Sequence, residues 1–306
     1  MNSQQTKTLI TIVGPTAIGK TALSIELAKH FNCEIISCDS RQFYKEMTIG
    51  TAVPEPEELD AASHHFIQNK SIFEEYNVGQ FERDTLKTLD ELFSKNPIQI
   101  MVGGSGLYVN AVLNGLDDFP EVEASIREKL KQDLQNYGIE YLQSQLKTLD
   151  IESFETIAID NPHRIMRALE ICLGTKKPYS SFKNKQKQAR DFNSIVIGLN
   201  ADRAEIYARI DQRVDSMMQK GLLEEAKKLH PFKELNALQT VGYRELFDYF
   251  DGKITLDFAI EEIKKNTRRF AKRQLTWFRK DDRIMWFDYK TKREKIIESI
   301  LDILNQ

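Results

Sequence analysis

Cysteine, long apolar runs and a strong net charge are what this sequence lacks. Its 306 residues include three cysteines, scattered without the spacing of a metal site. Their odd number and scattered positions argue against a disulfide framework and favour a reducing compartment. No apolar run approaches the roughly 18 residues of a membrane-spanning helix, and residues 1–7 lack the apolar region of a signal peptide. We therefore expect a cytoplasmic protein with no membrane partner.

The charges nearly balance, with 43 Lys and Arg against 46 Asp and Glu. The formal net charge of -3 alone therefore indicates neither a nucleic-acid nor a membrane partner. Two basic runs, residues 174–190 and 264–280, nevertheless contain no acid, and the second includes Trp277 and Phe278. Basic residues interleaved with aromatic ones suit phosphate contacts and base stacking, although a solvated helix face is the alternative.

Strands and helices alternate in the first third of the chain. Residues 9–13, 34–37 and 98–102 are short apolar runs that predict strands. Residues 21–31 and 81–93 have the spacing of helices. With 41% apolar residues the chain can bury a sizeable core, which excludes a disordered protein. The alternation predicts an α/β fold, a parallel sheet with helices on both faces.

A helical insertion is predicted in the middle of the chain, over residues 119–195. Strand character returns at residues 194–199, and the chain from Asp202 onward is mostly helical in pattern. We therefore predict a core made of residues 1–118 and 196–306, in line with the two domains that the length favours. One predicted helix of the insertion has an apolar side formed by Ile165, Ala168, Leu169 and Cys172.

A phosphate-binding loop, or P-loop, of the pattern G-x-x-x-x-G-K-[ST] lies between the first predicted strand and the first predicted helix. It consists of Gly14, Pro15, Thr16, Ala17, Ile18, Gly19, Lys20 and Thr21. Backbone N–H groups and the helix N-terminus would surround a phosphate. Lys20 would neutralise its oxygens, and the Thr21 hydroxyl would help to hold Mg²⁺. We therefore predict a polyphosphate ligand with Mg²⁺ as cofactor.

The acidic residue expected of a P-loop ATPase is missing from its usual place. The strand at residues 98–102 is followed by two glycines, Ser105 and a third glycine, with no acid to support the metal. The acid follows the second strand instead, as Asp39. Ligands bind at the carboxyl ends of parallel strands, so Asp39 is a candidate site residue. The alternative is a helix cap or a turn residue.

Eight segments together carry a resemblance to a known family. They are the P-loop, SCDSRQFY (37–44), IGTAVP (49–54), the pair His64 and His65, GGSGLYV (103–109), HRIMRALE (163–170), VGYRE (241–245) and AKRQLTWFRK (271–280). In this order and at these spacings the chain resembles the tRNA dimethylallyltransferases over nearly its whole length. For His64 and His65, structural hydrogen bonding and active-site contact remain open.

The resemblance implies a prenyl transfer. The dimethylallyl group of dimethylallyl diphosphate would move to N6 of the adenosine 3′-adjacent to the anticodon of a tRNA. By similarity Asp39 would act as the base, Ser105 would lie at the reaction centre, and Lys20 would stabilise the departing diphosphate. The P-loop would then grip a leaving group without any phosphoryl transfer, which accounts for the missing metal acid.

The same resemblance assigns residues to the tRNA anticodon stem-loop. Asp39, Ser40, Arg41, Gln42 and Ser105 would touch the flipped nucleotide. Further contacts would come from Arg127, His163, Arg164, Ile165, Met166, Arg167, Lys272 and Arg273. The chain is expected to act as a monomer. Two alternatives remain: an adenylate isopentenyltransferase acting on free AMP, ADP or ATP, and a P-loop RNA-binding regulator without prenyl chemistry.

Overall fold

A computed structural model of the chain describes residues 6–183 and 189–305. The chain forms two compact units, residues 1–114 with 190–306, and residues 115–189. The helical insertion was predicted to end at residue 195. The strand Asn193–Asn200 begins before that position and belongs to the first unit, so the predicted boundary falls inside a strand.

The first unit contains a six-stranded sheet in which every neighbouring pair is parallel. Its strands are β1 (Thr8–Val13), β2 (Ile35–Ser37), β3 (His64–His65), β4 (Ile98–Val102), β5 (Asn193–Asn200) and β6 (Met285–Asp288). Their order is β3-β2-β4-β1-β5-β6. The predicted α/β fold with a parallel sheet is confirmed, and β1, β2, β4 and β5 correspond to predicted strands.

Helices connect and cover these strands. The bounds of the α-helices are α1 (Lys20–Phe31), α2 (Pro56–Ala61), α3 (Val78–Phe93), α4 (Gly106–Asn114), α5 (Ala124–Tyr137), α6 (Ile139–Leu149), α7 (Ile151–Thr156), α8 (Pro162–Thr175), α9 (Arg203–Gln219), α10 (Leu222–Leu229), α11 (Tyr243–Phe250), α12 (Leu256–Phe278) and α13 (Arg293–Leu304). Short 3₁₀ helices occupy Tyr179–Phe182, His230–Phe232 and Asn236–Leu238. None of the helices within the described residues is long and apolar enough to span a bilayer.

Strand β1 lies at the centre of the sheet and is buried on both faces. Ile10 and Ile12 pack into one apolar cluster with α1, whereas Leu9 and Val13 pack into another with α3. This alternation follows from the two-residue period of a strand. Because the strands are parallel and covered on both faces, their carboxyl ends open together at one edge, where ligands bind in such sheets.

Two edge strands were not predicted. β3 is only the pair His64–His65, which hydrogen-bonds alongside Ile35 and Ile36. β6 is four residues long and only partly buried, between two long helices. Neither is long enough to show the period-2 pattern from which strands are recognised in a sequence. They are strands only because they pair with β2 and β5 in the folded sheet.

All regular secondary structure in the described part of the second unit is helical. Helices α5, α6 and α8 enclose a core of Leu130, Leu142, Leu146, Ile165, Met166 and Leu169. The Asp150 carboxylate accepts hydrogen bonds from the backbone N–H groups of Ser153 and Ser180 and from both hydroxyls. These bonds lower the pKa of Asp150 and fasten the segment after α8 to the start of α7.

Candidate active site

A cavity of about 1330 Å³ opens in the first unit at the carboxyl ends of the central strands. It is lined by the P-loop and the start of α1, by the segments that follow β2 and β4, and by residues of α9 and α12. The loops of neighbouring parallel strands meet here, as expected for a ligand site in an open α/β sheet.

The P-loop links β1 directly to α1. Helix α1 begins at Lys20, immediately after Gly19, whose φ of 103° places it in the left-handed region where glycine is favoured. The predicted strand and helix therefore flank the motif as its pattern requires. Thr16, Lys20 and Thr21 all line the cavity. The Lys20 ammonium donates to the Pro15 carbonyl at 2.8 Å.

The site lowers the pKa of Lys20 to about 8. Burial is the largest cause, and the nearby Arg213 guanidinium acts in the same direction, whereas the Asp39 carboxylate opposes both. An ammonium held in such surroundings is poorly solvated, and an anionic ligand placed beside it would stabilise its charged form and raise its pKa. The electrostatics at Lys20 therefore favour binding of a phosphate group.

Two arginines of α9 reach the P-loop and were not predicted. Arg209 donates from Nε to the Ala17 carbonyl at 2.7 Å. Arg213 approaches the Thr16 hydroxyl at 3.4 Å and lines the cavity. Their positions four residues apart put both on one face of the helix. Burial and the neighbouring Arg209 charge lower the pKa of Arg213. The two guanidiniums place positive charge beside the P-loop.

The segment after β2 brings the predicted residues Asp39, Ser40, Arg41 and Gln42 to the cavity wall together with Ser105. Asp39 accepts the Arg41 N–H at 3.1 Å through Oδ1. The Ser105 hydroxyl accepts the Ser40 N–H at 3.1 Å and donates to the Ser40 hydroxyl at 3.2 Å. Asp39 and the P-loop thus share one cavity.

The side chains of Arg41 and Gln42 already have protein partners. Arg41 donates to the carbonyls of Asn236 and Ala237, both at 3.0 Å. Gln42 donates to the Ala52 carbonyl at 2.8 Å. Both side chains therefore hold a neighbouring segment in place. Only the side-chain atoms that are not used in these hydrogen bonds would contact a nucleotide.

Gln274 of α12 connects two walls of the cavity and was also not predicted as a site residue. Its carbonyl oxygen accepts the Thr16 N–H at 2.9 Å, and its amide donates to the Gly104 carbonyl at 3.0 Å. The side chain is 6% exposed. Gln274 therefore joins the P-loop to the glycine turn after β4.

Replacing Gln274 by Leu should destabilise the protein by about 1–3 kcal/mol, because a similar volume is kept while two backbone groups are left without a partner. The free energy of unfolding, measured in urea, checks this. Thr276→Val, at an exposed position of α12, is the matched control and should stay within about 0.5 kcal/mol of wild type. An unfolding free energy of Gln274→Leu within that same range would show that the bridge is dispensable.

The exposed side of α12 carries Lys272 and Arg273, both predicted to contact tRNA. With Trp277, which is 43% exposed, they line a second, shallow cavity of about 420 Å³. Other members of the basic run 264–280 have acidic partners: Lys264 pairs with Asp215 and Arg268 with Asp211, both in α9. Lys272 and Arg273 form no ion pair within residues 6–183 and 189–305.

The predicted tRNA contacts of the second unit divide into exposed and buried residues. His163, Arg164, Arg127 and Arg167 are exposed. The Arg127 and Arg167 guanidiniums both lie 3.2 Å from the carboxylate of Glu170, which is 2% exposed. Ile165 and Met166 are 0% and 6% exposed because their side chains pack in the helical core, which argues against their side chains as tRNA contacts.

The other predicted basic run, residues 174–190, includes residues 184–188, which lie outside the described residues. Arg190 at its end is not free for RNA. It belongs to the first unit, where it pairs with Glu82 and donates to the carbonyls of Ala111 and Val112. This end of the run is structural.

The two adjacent histidines have different surroundings. His65 Nε2 lies 2.9 Å from a Glu34 carboxylate oxygen, an arrangement that ties β3 to the start of β2. His64 lines the cavity, its Nδ1 lies 2.7 Å from the Ala62 carbonyl, and burial lowers its pKa. His64 therefore lies on the wall of the site, and His65 has a structural partner.

Comparison with known proteins agrees on one family. The model of the "IPP transferase" family matches residues 42–281. The tRNA dimethylallyltransferase of Flavobacterium psychrophilum is 64% identical, over 95% of this chain and 97% of its own. A solved tRNA isopentenylpyrophosphate transferase from Bacillus halodurans is 38% identical with a TM-score of 0.72, covering 98% of this chain and 96% of that one.

A eukaryotic dimethylallyltransferase acting on tRNA has a TM-score of 0.80 at 29% identity, covering 93% of this chain and 74% of that one. The fold, the P-loop cavity and the sequence similarity over nearly the whole length thus lead to the same assignment. The chain belongs to the tRNA dimethylallyltransferase family.

Proposed function

We propose that this enzyme transfers the dimethylallyl group of dimethylallyl diphosphate to N6 of the adenosine 3′-adjacent to the anticodon of a tRNA, with release of diphosphate. The observation that carries the proposal is that one cavity contains both the P-loop and Asp39. The first suits the diphosphate of the donor, and the second suits the amine of the acceptor.

The reaction exchanges one bond for another. As the amine nitrogen attacks the prenyl carbon bonded to oxygen, a C–N bond forms, the C–O bond breaks, and its electron pair leaves with the diphosphate. An exocyclic amine is a weak nucleophile because its lone pair is delocalised into the purine. Asp39 is proposed to accept the amine proton, with Ser105 close to the same centre.

The residues at the P-loop side of the cavity are proposed to stabilise the negative charge of the departing diphosphate. Lys20 and Arg213 supply charge, and the N–H groups of the P-loop and α1 supply hydrogen bonds. Within the described residues, no group of three or more His, Cys, Asp or Glu side chains could hold a metal ion. Thr21 lines the cavity and would be the residue whose hydroxyl helps to hold Mg²⁺, an ion that would supply further positive charge beside the diphosphate.

Two exposed basic surfaces are proposed to bind the anticodon stem-loop. One is on α12, with Lys272, Arg273 and the Trp277 ring. The other is at the start of α8, with His163, Arg164 and Arg167. A free nucleotide would need neither, which favours a tRNA acceptor over an adenylate.

Incubation with labelled dimethylallyl diphosphate and either tRNA lacking the modification or free AMP, ADP and ATP tests the acceptor. Label is expected in tRNA alone. Label in free adenylates would support the adenylate isopentenyltransferase, and binding of tRNA without any transfer would support the RNA-binding regulator.

The RNA surface of α8 should be visible in the salt dependence of tRNA binding. Replacing Arg164 and Arg167 together with Gln should flatten the slope of log K against log salt by about 0.7 for each phosphate that is no longer neutralised. The KM for tRNA should rise, while the KM for dimethylallyl diphosphate should hardly change, because the P-loop lies in the other unit.

Lys227 and Lys228, two exposed lysines in the last turn of α10, offer a matched double replacement that should leave the slope unchanged. An unaltered slope in the Arg164 and Arg167 variant, with tRNA affinity intact, would assign these arginines to a solvated helix face.

A further inference from the structure

The Glu225 carboxylate of α10 accepts hydrogen bonds from the backbone of residues 48–54, a segment that lines the cavity. It accepts the N–H groups of Thr48 and Ile49 on Oε2 at 3.0 and 2.8 Å, and that of Gly50 on Oε1 at 2.9 Å. The Tyr243 hydroxyl donates to the same Oε1 at 2.6 Å. Three consecutive backbone donors on one carboxylate are charge-assisted hydrogen bonds, which are stronger than neutral ones.

The Tyr243 ring packs directly against this segment. Its ring is fully buried, and a Cβ on Gly50 would approach it to 2.6 Å. Only glycine therefore allows the backbone to lie this close to the ring. Glu225 and Tyr243 themselves are not among the described residues that line the cavity, so they act on it through residues 48–54.

The same segment is also held by Gln42, through the residues that follow Gly50. Its amide donates to the carbonyls of Thr51 and Ala52, and its own carbonyl accepts the Ser37 hydroxyl at 3.2 Å. Ala52 has a φ of 52°, which L-residues seldom adopt. Such a conformation persists only where the surrounding contacts fix it, as the hydrogen bonds of Gln42 and Glu225 to this segment do.

Helix α9 runs from the P-loop to this segment. Arg213 lies at the phosphate end, and Met217, one turn later, lines the cavity on the same helix face. Lys220, just past the end of the helix, pairs with Glu55. Val214 and Met217 of α9 and Ile49 and Val53 of the segment make this part of the wall apolar. An apolar chain attached to a diphosphate at the P-loop would fit against it.

We propose that Glu225 is a positioning residue: by holding the amides of Thr48, Ile49 and Gly50, it fixes the wall against which the dimethylallyl chain of the donor packs. The inference rests on the proposed function for the identity of the donor. Glu225 touches no substrate, and its effect should fall on the prenyl chain rather than on the diphosphate.

The test compares wild type with Glu225→Gln, Tyr243→Phe and the control Glu224→Gln, which removes the same charge from an exposed neighbour in α10. Hydrogen exchange of the amides at residues 48–50 is measured without substrate. The amides should be protected in wild type and in Glu224→Gln, and should exchange faster in Glu225→Gln. Tyr243→Phe keeps the buried ring and should show a smaller change in the same direction.

Kinetics separate positioning from mere stability. In Glu225→Gln the KM for dimethylallyl diphosphate should rise about tenfold, while the inhibition constant of inorganic diphosphate and the KM for tRNA stay within about twofold of wild type. Unprotected amides at residues 48–50 in wild type would overturn the inference, and this measurement does not depend on the folding of any variant. Equal increases in the constants for both diphosphates would overturn it as well.

Failure of the proposed function gives a different result. If wild type transfers no prenyl group to tRNA, the proposed function is wrong, whatever the amide exchange shows. If wild type is active and Glu225→Gln has the donor KM of wild type, only the positioning role is wrong.

Discussion

Asp39→Asn should lower the single-turnover rate of prenyl transfer by about 10² to 10⁴, the usual cost of removing a general base. Asparagine keeps the side-chain oxygen that accepts the Arg41 N–H, so the turn after β2 should survive. The rate is measured at saturating tRNA and dimethylallyl diphosphate, where weakened binding has no influence.

Equilibrium binding of tRNA to the Asp39→Asn variant provides the control and should match wild type within a few fold. A variant that binds tRNA normally and retains the wild-type single-turnover rate would remove Asp39 from the role of base. A variant that does not bind tRNA at all would instead point to a structural role for the carboxylate.

Lys20→Ala should lower kcat/KM for dimethylallyl diphosphate by about 10² or more, because the variant lacks one donor to the developing charge of the leaving group. Inorganic diphosphate should compete with the donor in wild type and bind much more weakly to the variant. If ATP were hydrolysed at the rate of tRNA modification, the assignment of the P-loop to a leaving diphosphate would be wrong.

The pH dependence of kcat/KM for dimethylallyl diphosphate follows from the pKa of Lys20, which is lowered to about 8 in the free enzyme. Below that pH the ammonium is charged and attracts the diphosphate; as the pH rises through 8, the proton is lost. In wild type kcat/KM for the donor should therefore fall above about pH 8, since this constant reports the free enzyme. Lys20→Ala should not show this fall, and an identical fall in both proteins would assign the titration to another group.

The P-loop, Asp39 and the parallel sheet were predictable because their signals are local. A glycine pattern between a strand and a helix is read within a dozen residues, and acids that follow strands are placed at one edge by the parallel topology. Gln274, Arg209 and Arg213 were not predictable in this way. They contact the P-loop from positions 258, 192 and 197 residues further along the chain, where only the tertiary fold brings them near.

Ile165 and Met166 show how assigning a whole segment to tRNA differs from assigning it residue by residue. Both were assigned to tRNA because they lie inside a segment that resembles the family, although Ile165 also belongs to the apolar side predicted for that helix. In the structure Ile165, Leu169 and Cys172 pack inward at helical spacing, while Arg164 and Arg167 are exposed. The helical period, applied residue by residue, separates the two groups.

Mass spectrometry of tRNA after incubation with the enzyme, dimethylallyl diphosphate and Mg²⁺ tests the central claim most directly. Digestion to nucleosides and to short fragments shows which base has changed. We expect one dimethylallyl group in place of one hydrogen on N6 of the adenosine 3′-adjacent to the anticodon, with one diphosphate released per group. An unchanged tRNA, or a prenyl group on any other position, would contradict the account.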